Sequence, residues 1–388
     1  MSYNLFKPIQ LGRYTLQHRV VMAPLTRNRA FNGHTVDERT VEYYSTRAAV
    51  PGTLILTEAT FVARRTAGLS NWMSTPGIWA PAQVTAWKRV VDAVHAQGSF
   101  IFLQIWAIGR YNDPDLLTSQ DPSFEYTSAS GIPREGTSRA PRPLTREEIQ
   151  EYVHDFGTAA KAAVNEAGFD GVEVHAAGGR LLDEFLKKST NTRTDEYGGS
   201  IENRARFLLE VMDEVVEAVG EDRVGVKLTP WILVVLIGNT AGEEGQEDPR
   251  PIYAYAASEI RRRHPELAYM HVLEAIGLGD RRANDFMREI WAGKPYIADG
   301  SYTRESAIAQ ADKNDEELVS FGRYYSSNPD LPIRLEYNIP LTPYDRDSFY
   351  FDVEGSPLGY NTFKFAEESK GFLEARRSIK QASLHHRL

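Results

Sequence analysis

The chain has 388 residues, of which 42% are hydrophobic and 25% are charged, values typical of a soluble globular protein. Its net charge of −9, with no predicted face on which Lys and Arg cluster, argues against a nucleic-acid-binding surface. The absence of cysteine excludes disulfides, thiol nucleophiles and Cys-ligated metal or iron–sulfur sites.

The sequence also gives expectations about membranes and compartment. Its first residues lack the charged start and apolar core of a signal peptide. The longest apolar run, Trp231–Ile237, is too short to cross a bilayer. We therefore expect no membrane association, and the lack of cysteine favours a reducing, cytoplasmic compartment.

Strand-like apolar segments alternate with amphipathic helical segments along nearly the whole chain. The eight predicted strands are Val20–Met22, Thr53–Thr57, Phe100–Trp106, a strand that ends at His175, Arg223–Leu228, Leu267–Leu273, Pro295–Ala298 and Leu318–Phe321. Eight strand–helix units in one chain of this length predict a parallel (β/α)8 barrel, also called a TIM barrel. No change of composition divides the chain, so we predict a single domain over residues 1–388.

Several helices and one long polar segment can be located within this pattern. Thr145 and Glu148 form a capping box that opens a helix running to about Ala167. A short helix follows the double glycine after His175, and a long amphipathic helix begins at Ile201. The segment 111–144 has no clear periodicity, and we predict that it forms a lid over the barrel mouth after the third strand.

If the fold is a barrel, the residues at the strand ends meet in one site. These residues are Thr26, Ala59, Gln104, Trp106, His175, Lys227, Gly300, Ser301, Gly322 and Arg323. The set suits a flat, phosphorylated cofactor, because the two glycine positions offer backbone N–H groups and Arg323 offers a fork for phosphate. Lys227 is suited to stabilise negative charge on a reduced ring. For His175 the alternative is a purely structural role, tying a loop to the strand end.

Several long stretches carry a specific resemblance to one known family. They read LFKPIQLGRYTLQHRVVMAPLTRNRA, GTLILTEAT, FLQIWAIGR, GFDGVEVHAAGG, RTDEYGGSIENRARF, RVGVKLTP and FGRYYSSNPDLPIRL. The chain resembles the old yellow enzyme family of FMN-dependent oxidoreductases over nearly its whole length, and most of all its fungal secondary-metabolism branch.

The resemblance implies a cofactor, a reaction and a set of residues. The implied FMN-contacting residues are Pro24, Thr26, Ala59, Gln104, Lys227, Gly300, Ser301, Gly322 and Arg323. Thr26 is expected to hydrogen-bond the flavin carbonyl beside the reactive N5. Members of the family take a hydride from NADPH and pass it to a C=C bond conjugated to a carbonyl. In those enzymes a His–x–x–Asn or His–x–x–His pair binds the carbonyl, and a Tyr two residues later supplies the proton.

The sequence departs from that pattern where the chemistry takes place. His175 is kept, but Gly178 replaces the second carbonyl-binding residue and Arg180 stands where the proton-donating Tyr is expected. Gly has no side-chain donor, and Arg stays charged and is a poor acid. Asp299 is a further departure, a negative charge near the expected phosphate site. The predicted catalytic residues are His175, Arg180 and Thr26, and the predicted substrate-binding residues are His175, Trp106, Arg180 and Tyr350.

Several alternatives remain open at this point. Arg180 either anchors an anionic or strongly polar group of the substrate or pairs with Asp183 or Glu184 on its own helix. The apolar run Trp231–Ile237 either lines a substrate pocket or packs beneath the lid. The glycines Gly277 and Gly279 resemble part of a dinucleotide-binding fingerprint, but the third glycine is missing.

Three functions are compatible with the residues. The first is reduction of an activated C=C bond in a specialised metabolite. The second is a non-reductive reaction on the same FMN barrel, such as isomerisation, dehydrogenation or cyclisation. The third is a non-catalytic barrel. We expect a small-molecule substrate, apolar with a polar or anionic group, and a monomer or homodimer without metal.

Overall fold

The architecture is that of a computed structural model, which describes residues 3–385 except 68–73, 135, 232–247, 276–280 and 351–354. Two stretches singled out in the sequence fall in these gaps: the apolar run that follows Trp231, and the glycines Gly277 and Gly279. The expectations for both therefore lie outside the described residues.

The strands of the described residues are short and mostly parallel. In chain order they are β1 (Ile9–Leu11), β2 (Tyr14–Leu16), β3 (Val20–Met22), β4 (Leu54–Leu56), β5 (Thr60–Phe61), β6 (Phe100–Trp106), β7 (Thr127–Ser128), β8 (Arg142–Pro143), β9 (Gly171–Ala176), β10 (Val224–Leu228), β11 (Tyr269–Leu273), β12 (Tyr296–Asp299) and β13 (Glu317–Phe321).

Helices follow most of these strands. In chain order they are α1 (Glu38–Arg47), α2 (Pro81–Gln97), α3 (Pro114–Gln120), α4 (Arg146–Lys161), α5 (Leu181–Leu186), α6 (Ile201–Val219), α7 (Arg250–Arg263), α8 (Asp285–Ile290), α9 (Arg304–Ala311), α10 (Arg323–Ser327), α11 (Leu331–Tyr337) and α12 (Glu367–His385). Among the described residues, none of these helices is long and apolar enough to cross a membrane.

Eight parallel strands close into a barrel. Around the ring they run β3, β4, β6, β9, β10, β11, β12 and β13, and β13 pairs again with β3. The predicted (β/α)8 barrel is confirmed, and the predicted strand Phe100–Trp106 is reproduced residue for residue. Because all eight strands are parallel, their carboxyl ends open on one mouth.

A hairpin that the sequence analysis did not predict lies at the opposite end of the barrel. Strands β1 and β2 pair antiparallel, and their Leu11 and Leu16 are fully buried. These side chains share a core cluster with Val21 and Leu54, which point inward from barrel strands. The hairpin therefore closes the amino-terminal end of the barrel with apolar side chains, and the mouth is left as the place for a ligand.

The helix boundaries follow the sequence signals. The Thr145 hydroxyl accepts the Glu148 N–H at 3.2 Å, and the Glu148 carboxylate accepts the Thr145 N–H at 2.7 Å, which confirms the capping box. Helix α4 ends at Lys161, and one π-helical turn continues it over Ala162–Glu166, so the predicted end near Ala167 is confirmed. Helix α6 begins at Ile201 as predicted.

The segment 111–144 is more regular than the sequence suggested. It contains the helix α3 and a parallel pair formed by β7 and β8. Its backbone is held by the loop between α5 and α6, where the Arg193 guanidinium donates to the Leu144 carbonyl at 2.7 Å and to the Ala129 carbonyl at 3.1 Å. Its role as a lid stays a prediction.

Candidate active site at the barrel mouth

The barrel brings the predicted site residues together at the carboxyl ends of its strands. Pro24 and Thr26 follow β3, Ala59 follows β4, Gln104 and Trp106 lie on β6, His175 on β9, and Lys227 on β10; Gly300 and Ser301 follow β12, and Gly322 and Arg323 follow β13. The sequence analysis predicted this placement at one mouth from the barrel fold. Which of them perform chemistry stays a prediction.

The loop that carries Pro24 and Thr26 is held by a buried carboxylate. Glu58, at the end of β4, accepts the backbone N–H of Arg27 at 3.1 Å. Burial raises the pKa of Glu58 to about 7, although the neighbouring backbone donors and guanidinium groups act in the opposite direction. The contact fixes the backbone beside Thr26 relative to Ala59, the residue after Glu58.

Arg27 also ties the C-terminal segment to this loop. Its fully buried guanidinium donates to the carbonyls of Gly359 at 2.7 Å and Phe349 at 3.2 Å. Tyr350, the residue after Phe349, is therefore held on the β3 side of the barrel, with 55% of its surface exposed. That location is compatible with the predicted contact to a substrate at the rim.

His175 ends β9 and is held neutral by its surroundings. Its pKa is lowered to about 3, first by burial and then by the nearby charges of Arg180 and Lys227. Its buried Nδ1 has no hydrogen-bond partner among the described residues, and its ring centroid lies 5.6 Å from that of Trp106. A neutral imidazole can donate or accept a hydrogen bond with a ligand, but it is not a proton source near neutral pH.

Arg180 lies beside this histidine at the mouth. Its guanidinium carbon is 4.4 Å from the ring centroid of Tyr111 and 5.7 Å from that of Trp106, and its Nη1 donates to the Gly178 carbonyl at 3.0 Å. Such cation–aromatic contacts orient a planar guanidinium. Tyr111 was not predicted as a site residue, because in the sequence it is one aromatic residue at the start of an irregular segment.

The acidic residues of α5 hold other donors. The Asp183 carboxylate accepts from the Lys187 ammonium at 2.6 Å and from the Gly179 N–H at 2.7 Å. The Glu184 carboxylate accepts from the Arg110 N–H at 2.8 Å and from the Ser128 hydroxyl at 2.5 Å. Arg180 thus lies against aromatic rings at the mouth, with the charges of Glu184 and Asp183 also acting on it, and whether it anchors a substrate stays a prediction.

Gly178 leaves open space where a side chain would stand. Its φ is +62°, and among the described residues, its two chain neighbours apart, no atom lies within 4 Å of the position that a Cβ would take. Its N–H donates to the Thr229 hydroxyl at 2.7 Å, which fixes the turn. Among residues with a side chain, Asn is one of those that best tolerate this left-handed backbone. The described residues therefore leave room for a carbonyl-binding side chain at position 178, although the sequence has a glycine there.

A buried polar network lies below the mouth, inside the barrel. Gln104 Nε2 donates to Glu173 Oε1 at 2.6 Å, and Glu173 Oε2 lies 2.8 Å from His271 Nδ1. Asp299 Oδ2 accepts from Lys227 Nζ at 2.7 Å and lies 3.6 Å from His271 Nε2. The side-chain amide of Gln104 is thus held by Glu173, which leaves its carbonyl oxygen for a ligand.

Glu173 and His271 were missed by the sequence analysis. The signal was present as single polar residues within otherwise apolar strands, since the strand VEV contains Glu173 and the strand MHV contains His271. A strand alone does not say which side faces the barrel interior. The observed register, which pairs Lys227 with both His175 and His271, shows that these polar side chains converge.

The phosphate end of the expected cofactor site has the features of an anion cradle. Gly300 has a φ of +150°, and Ser301, with a φ of +46°, is held in a left-handed conformation that costs a non-glycine residue roughly 1–2 kcal/mol. Arg323 is half-buried, and its guanidinium makes no hydrogen bond or ion pair with another described residue. A strained turn beside an uncommitted cation fits a bound phosphate.

Comparison with known proteins identifies the family. Residues 4–342 match the NADH:flavin oxidoreductase / NADH oxidase family. The chain belongs to the old yellow enzyme family. The crystal structure of old yellow enzyme from Pichia sp. AKU4542 is 39% identical, superposes with a TM-score of 0.84, and covers 94% of this chain and 94% of its own. FMN is the cofactor of the family. The neutral His175, the strained turn at Ser301 and Arg323, whose guanidinium has no hydrogen bond or ion pair among the described residues, fit it.

Three relatives have fungal sources. The probable inactive dehydrogenase easA of Claviceps fusiformis is 42% identical over 381 residues, 95% of this chain and 96% of its own length. The chanoclavine-I aldehyde reductase fgaOx3 of Penicillium roqueforti is 42% identical over 381 residues, which cover 96% of this chain and 99% of that protein. The NADP-dependent oxidoreductase lnbE of Aspergillus flavus is 40% identical over 395 residues, which cover 97% of this chain and 100% of that protein. The chain is therefore an FMN oxidoreductase of the old yellow enzyme type with relatives in secondary metabolism.

Proposed function

We propose that this chain uses NADPH and FMN to reduce a C=C bond conjugated to a carbonyl in a specialised metabolite that also carries an anionic or strongly polar group. The observation that carries the proposal is a neutral His175 near the cation of Arg180, whose guanidinium lies over the Tyr111 ring, at one barrel mouth. The chemistry that bound FMN would supply is hydride transfer from NADPH to the double bond. The NADP-dependent relative supports the choice of nicotinamide.

His175 holds the carbonyl oxygen. Because the pKa of His175 is lowered to about 3, its ring stays neutral and donates a hydrogen bond without giving up its proton. A preorganised donor at the oxygen stabilises the negative charge that develops there as the double bond is reduced. Gly178 adds no second donor, so a substrate held only by its carbonyl is held weakly.

Arg180 is the proposed second contact that holds the substrate, and Tyr111 is the proposed proton source. The Arg180 guanidinium presents a planar fork to a carboxylate, phosphate or similarly polar group. It does not release a proton at physiological pH. The Tyr111 ring lies under this guanidinium, and its hydroxyl lies 3.6 Å from the position that a Gly179 Cβ would take. This places a phenol next to the position where the family pattern has one.

A second candidate is a non-reductive reaction on the same FMN barrel, such as isomerisation, dehydrogenation or cyclisation. The observation in its favour is Arg180 itself, because a reaction that only abstracts or relays hydride needs no acid at that position. A non-catalytic barrel has some support from the relative named as a probable inactive dehydrogenase. Arg323, whose guanidinium makes no hydrogen bond or ion pair among the described residues, argues for a site that binds an anionic ligand.

The proposal is tested with cyclohexenone, an enone without an anionic group, and NADPH oxidation under anaerobic conditions. Wild type is expected to turn over slowly. The double variant Gly178→Asn, Arg180→Tyr restores a second carbonyl donor and an acid, and is expected to gain at least about tenfold. Arg89→Tyr, which replaces a half-exposed Arg on helix α2, is the control and should gain nothing. Brisk wild-type reduction that the double variant does not improve would contradict the argument.

Tyr111→Phe separates the proton from the hydride. The variant should slow the residual enone reduction by at least about tenfold. The rate at which NADPH bleaches the flavin should stay unchanged, because no proton from the phenol enters that half-reaction. If both rates fall together, Tyr111 supports the pocket and does not supply the proton.

A further inference from the structure

The positive charge of Lys227, the residue expected beside the flavin ring, is paired with the carboxylate of Asp299. Lys227 Nζ lies 2.7 Å from Asp299 Oδ2, and the two side chains are only 11% and 18% exposed. Lys227 is the penultimate residue of β10 and Asp299 is the last residue of β12, so the pair bridges across the intervening strand β11 near the carboxyl end of the barrel. Lys227 is the cation that the family resemblance assigns to the flavin, whereas Asp299 departs from the family pattern.

Asp299 is ionised under ordinary conditions. Burial alone would raise the pKa of its carboxyl, but the charge of Lys227, the hydrogen bond from Lys227 and the nearby His271 ring hold that pKa well below its usual range. The pair is mostly shielded from solvent, so it is screened less than a surface ion pair. The positive charge of Lys227 is therefore matched by a fixed negative charge at contact distance.

A second carboxylate strengthens this compensation. Glu173 is fully buried, and although burial would raise its pKa, its contact with His271, the charge of Lys227 and its hydrogen bond from Gln104 keep that pKa lowered. His271 lies between the two carboxylates, with Nδ1 2.8 Å from Glu173 and Nε2 3.6 Å from Asp299. The network below the mouth thus contains two carboxylates, one ammonium and one imidazole, and offers a ring above it little net positive charge.

We propose that Asp299 is a positioning residue that lowers the reduction potential of bound FMN by holding and compensating Lys227. This inference rests on the proposed function, since it takes Lys227 as the cation beside the flavin. Reduction by NADPH would add two electrons and one proton as hydride, so the reduced ring would carry one negative charge unless it takes up a further proton. A free ammonium stabilises that charge, and a paired ammonium does so less.

The experiment measures the two-electron midpoint potential of FMN in the holoprotein and the affinity for oxidised FMN. Asp299→Asn and Asp299→Ala should bind reduced FMN at least tenfold more tightly relative to oxidised FMN than wild type does, an upward shift of about 30 mV or more. The control is Asp222→Asn, which breaks an Asp–Arg pair with Arg13 on the surface, and its potential should equal that of wild type. Two Asp299 variants are used so that poor folding of one leaves the other informative.

A double-variant cycle tests whether Lys227 carries the effect. In a Lys227→Met background, Asp299→Asn should change the relative affinity by less than twofold, because the cation that Asp299 compensates is gone. Potentials that do not move in the single variants, with FMN bound, overturn this inference and leave the proposed function intact. Potentials that move in a protein without enone turnover support the inference and count against the proposed reaction. A protein that takes up no FMN overturns both.

Discussion

At the scale of single residues, the candidate site is built from side chains that meet only when the barrel closes, such as Lys227 with Asp299 and Tyr111 with Arg180. Strand ends locate His175 and Lys227 because an apolar run that stops at a polar residue marks the mouth of a parallel barrel. Nothing in the sequence pairs Lys227 with Asp299, which lies 72 residues away, or sets Tyr111 under Arg180. Those partnerships follow from barrel closure and strand register, which local periodicity does not contain.

Arg323 and Thr26 provide a prediction at this scale. We expect Arg323→Ala to weaken FMN retention more than Thr26→Ala, because Arg323 brings an uncommitted charge to a phosphate whereas Thr26 offers one neutral hydrogen bond. Flavin content after denaturation, and dialysis-monitored FMN dissociation, measure the difference. The control is Arg262→Ala on the outer surface of α7. Equal retention in the two site variants would remove Arg323 from the phosphate site.

At the scale of elements, the short helix α5 joins the chemistry to the segment above it. The turn at Gly178 and Gly179 ends β9 and lets the chain reverse with both residues at positive φ. Helix α5 then carries the fully buried Glu184. The Glu184 carboxylate accepts from the N–H of Arg110, just before the segment 111–144, and from the hydroxyl of Ser128 within it. The sequence located α5 by its apolar spacing, but it gave no reason to place Glu184 inside.

Removing this carboxylate should loosen the segment. Glu184→Ala leaves a buried N–H and a buried hydroxyl without their acceptor, which should cost about 2–4 kcal/mol of unfolding free energy. Limited proteolysis should then cut within residues 111–144 faster than in wild type. Glu147→Ala removes an exposed carboxylate from the first turn of α4 and is the control. Unchanged proteolysis in Glu184→Ala would show that other contacts, such as those of Arg193, suffice to hold the segment.

At the scale of the whole molecule, buried titratable groups set opposing pH limits on stability. Burial raises the pKa values of Glu58 and Glu184 to about 7. Between about pH 4.5 and 7, the folded state therefore keeps protons on these two carboxyls that the unfolded chain has released. The stability that the two groups contribute to the folded state is lost as pH rises through this range. His18 acts in the other direction, since its pKa is lowered to about 3 by burial and by the charge of Arg376.

His18 is the sharper test of this balance. Its ring is 2% exposed, its Nδ1 accepts the Val20 N–H at 3.2 Å, and its Nε2 lies 2.9 Å from the Thr53 hydroxyl. A protonated Nδ1 cannot accept, so acid breaks the contact that starts β3. Because the unfolded chain takes up this proton near pH 6.5 and the folded chain only near pH 3, the His18 contribution is present above 6.5 and lost as pH falls.

The variant His18→Asn keeps an acceptor for the Val20 N–H but has no proton to gain. We expect it to be less stable than wild type at pH 7, because it loses packing, and to lose about 3 kcal/mol less than wild type does between pH 7 and pH 4. Urea unfolding at both pH values measures the two changes. His154→Asn, at a side chain that is 77% exposed, should follow the wild-type slope. An acid slope in His18→Asn as steep as that of wild type would mean that His18 does not govern the acid limit, and that the buried carboxylates and surface charges of the barrel set it together.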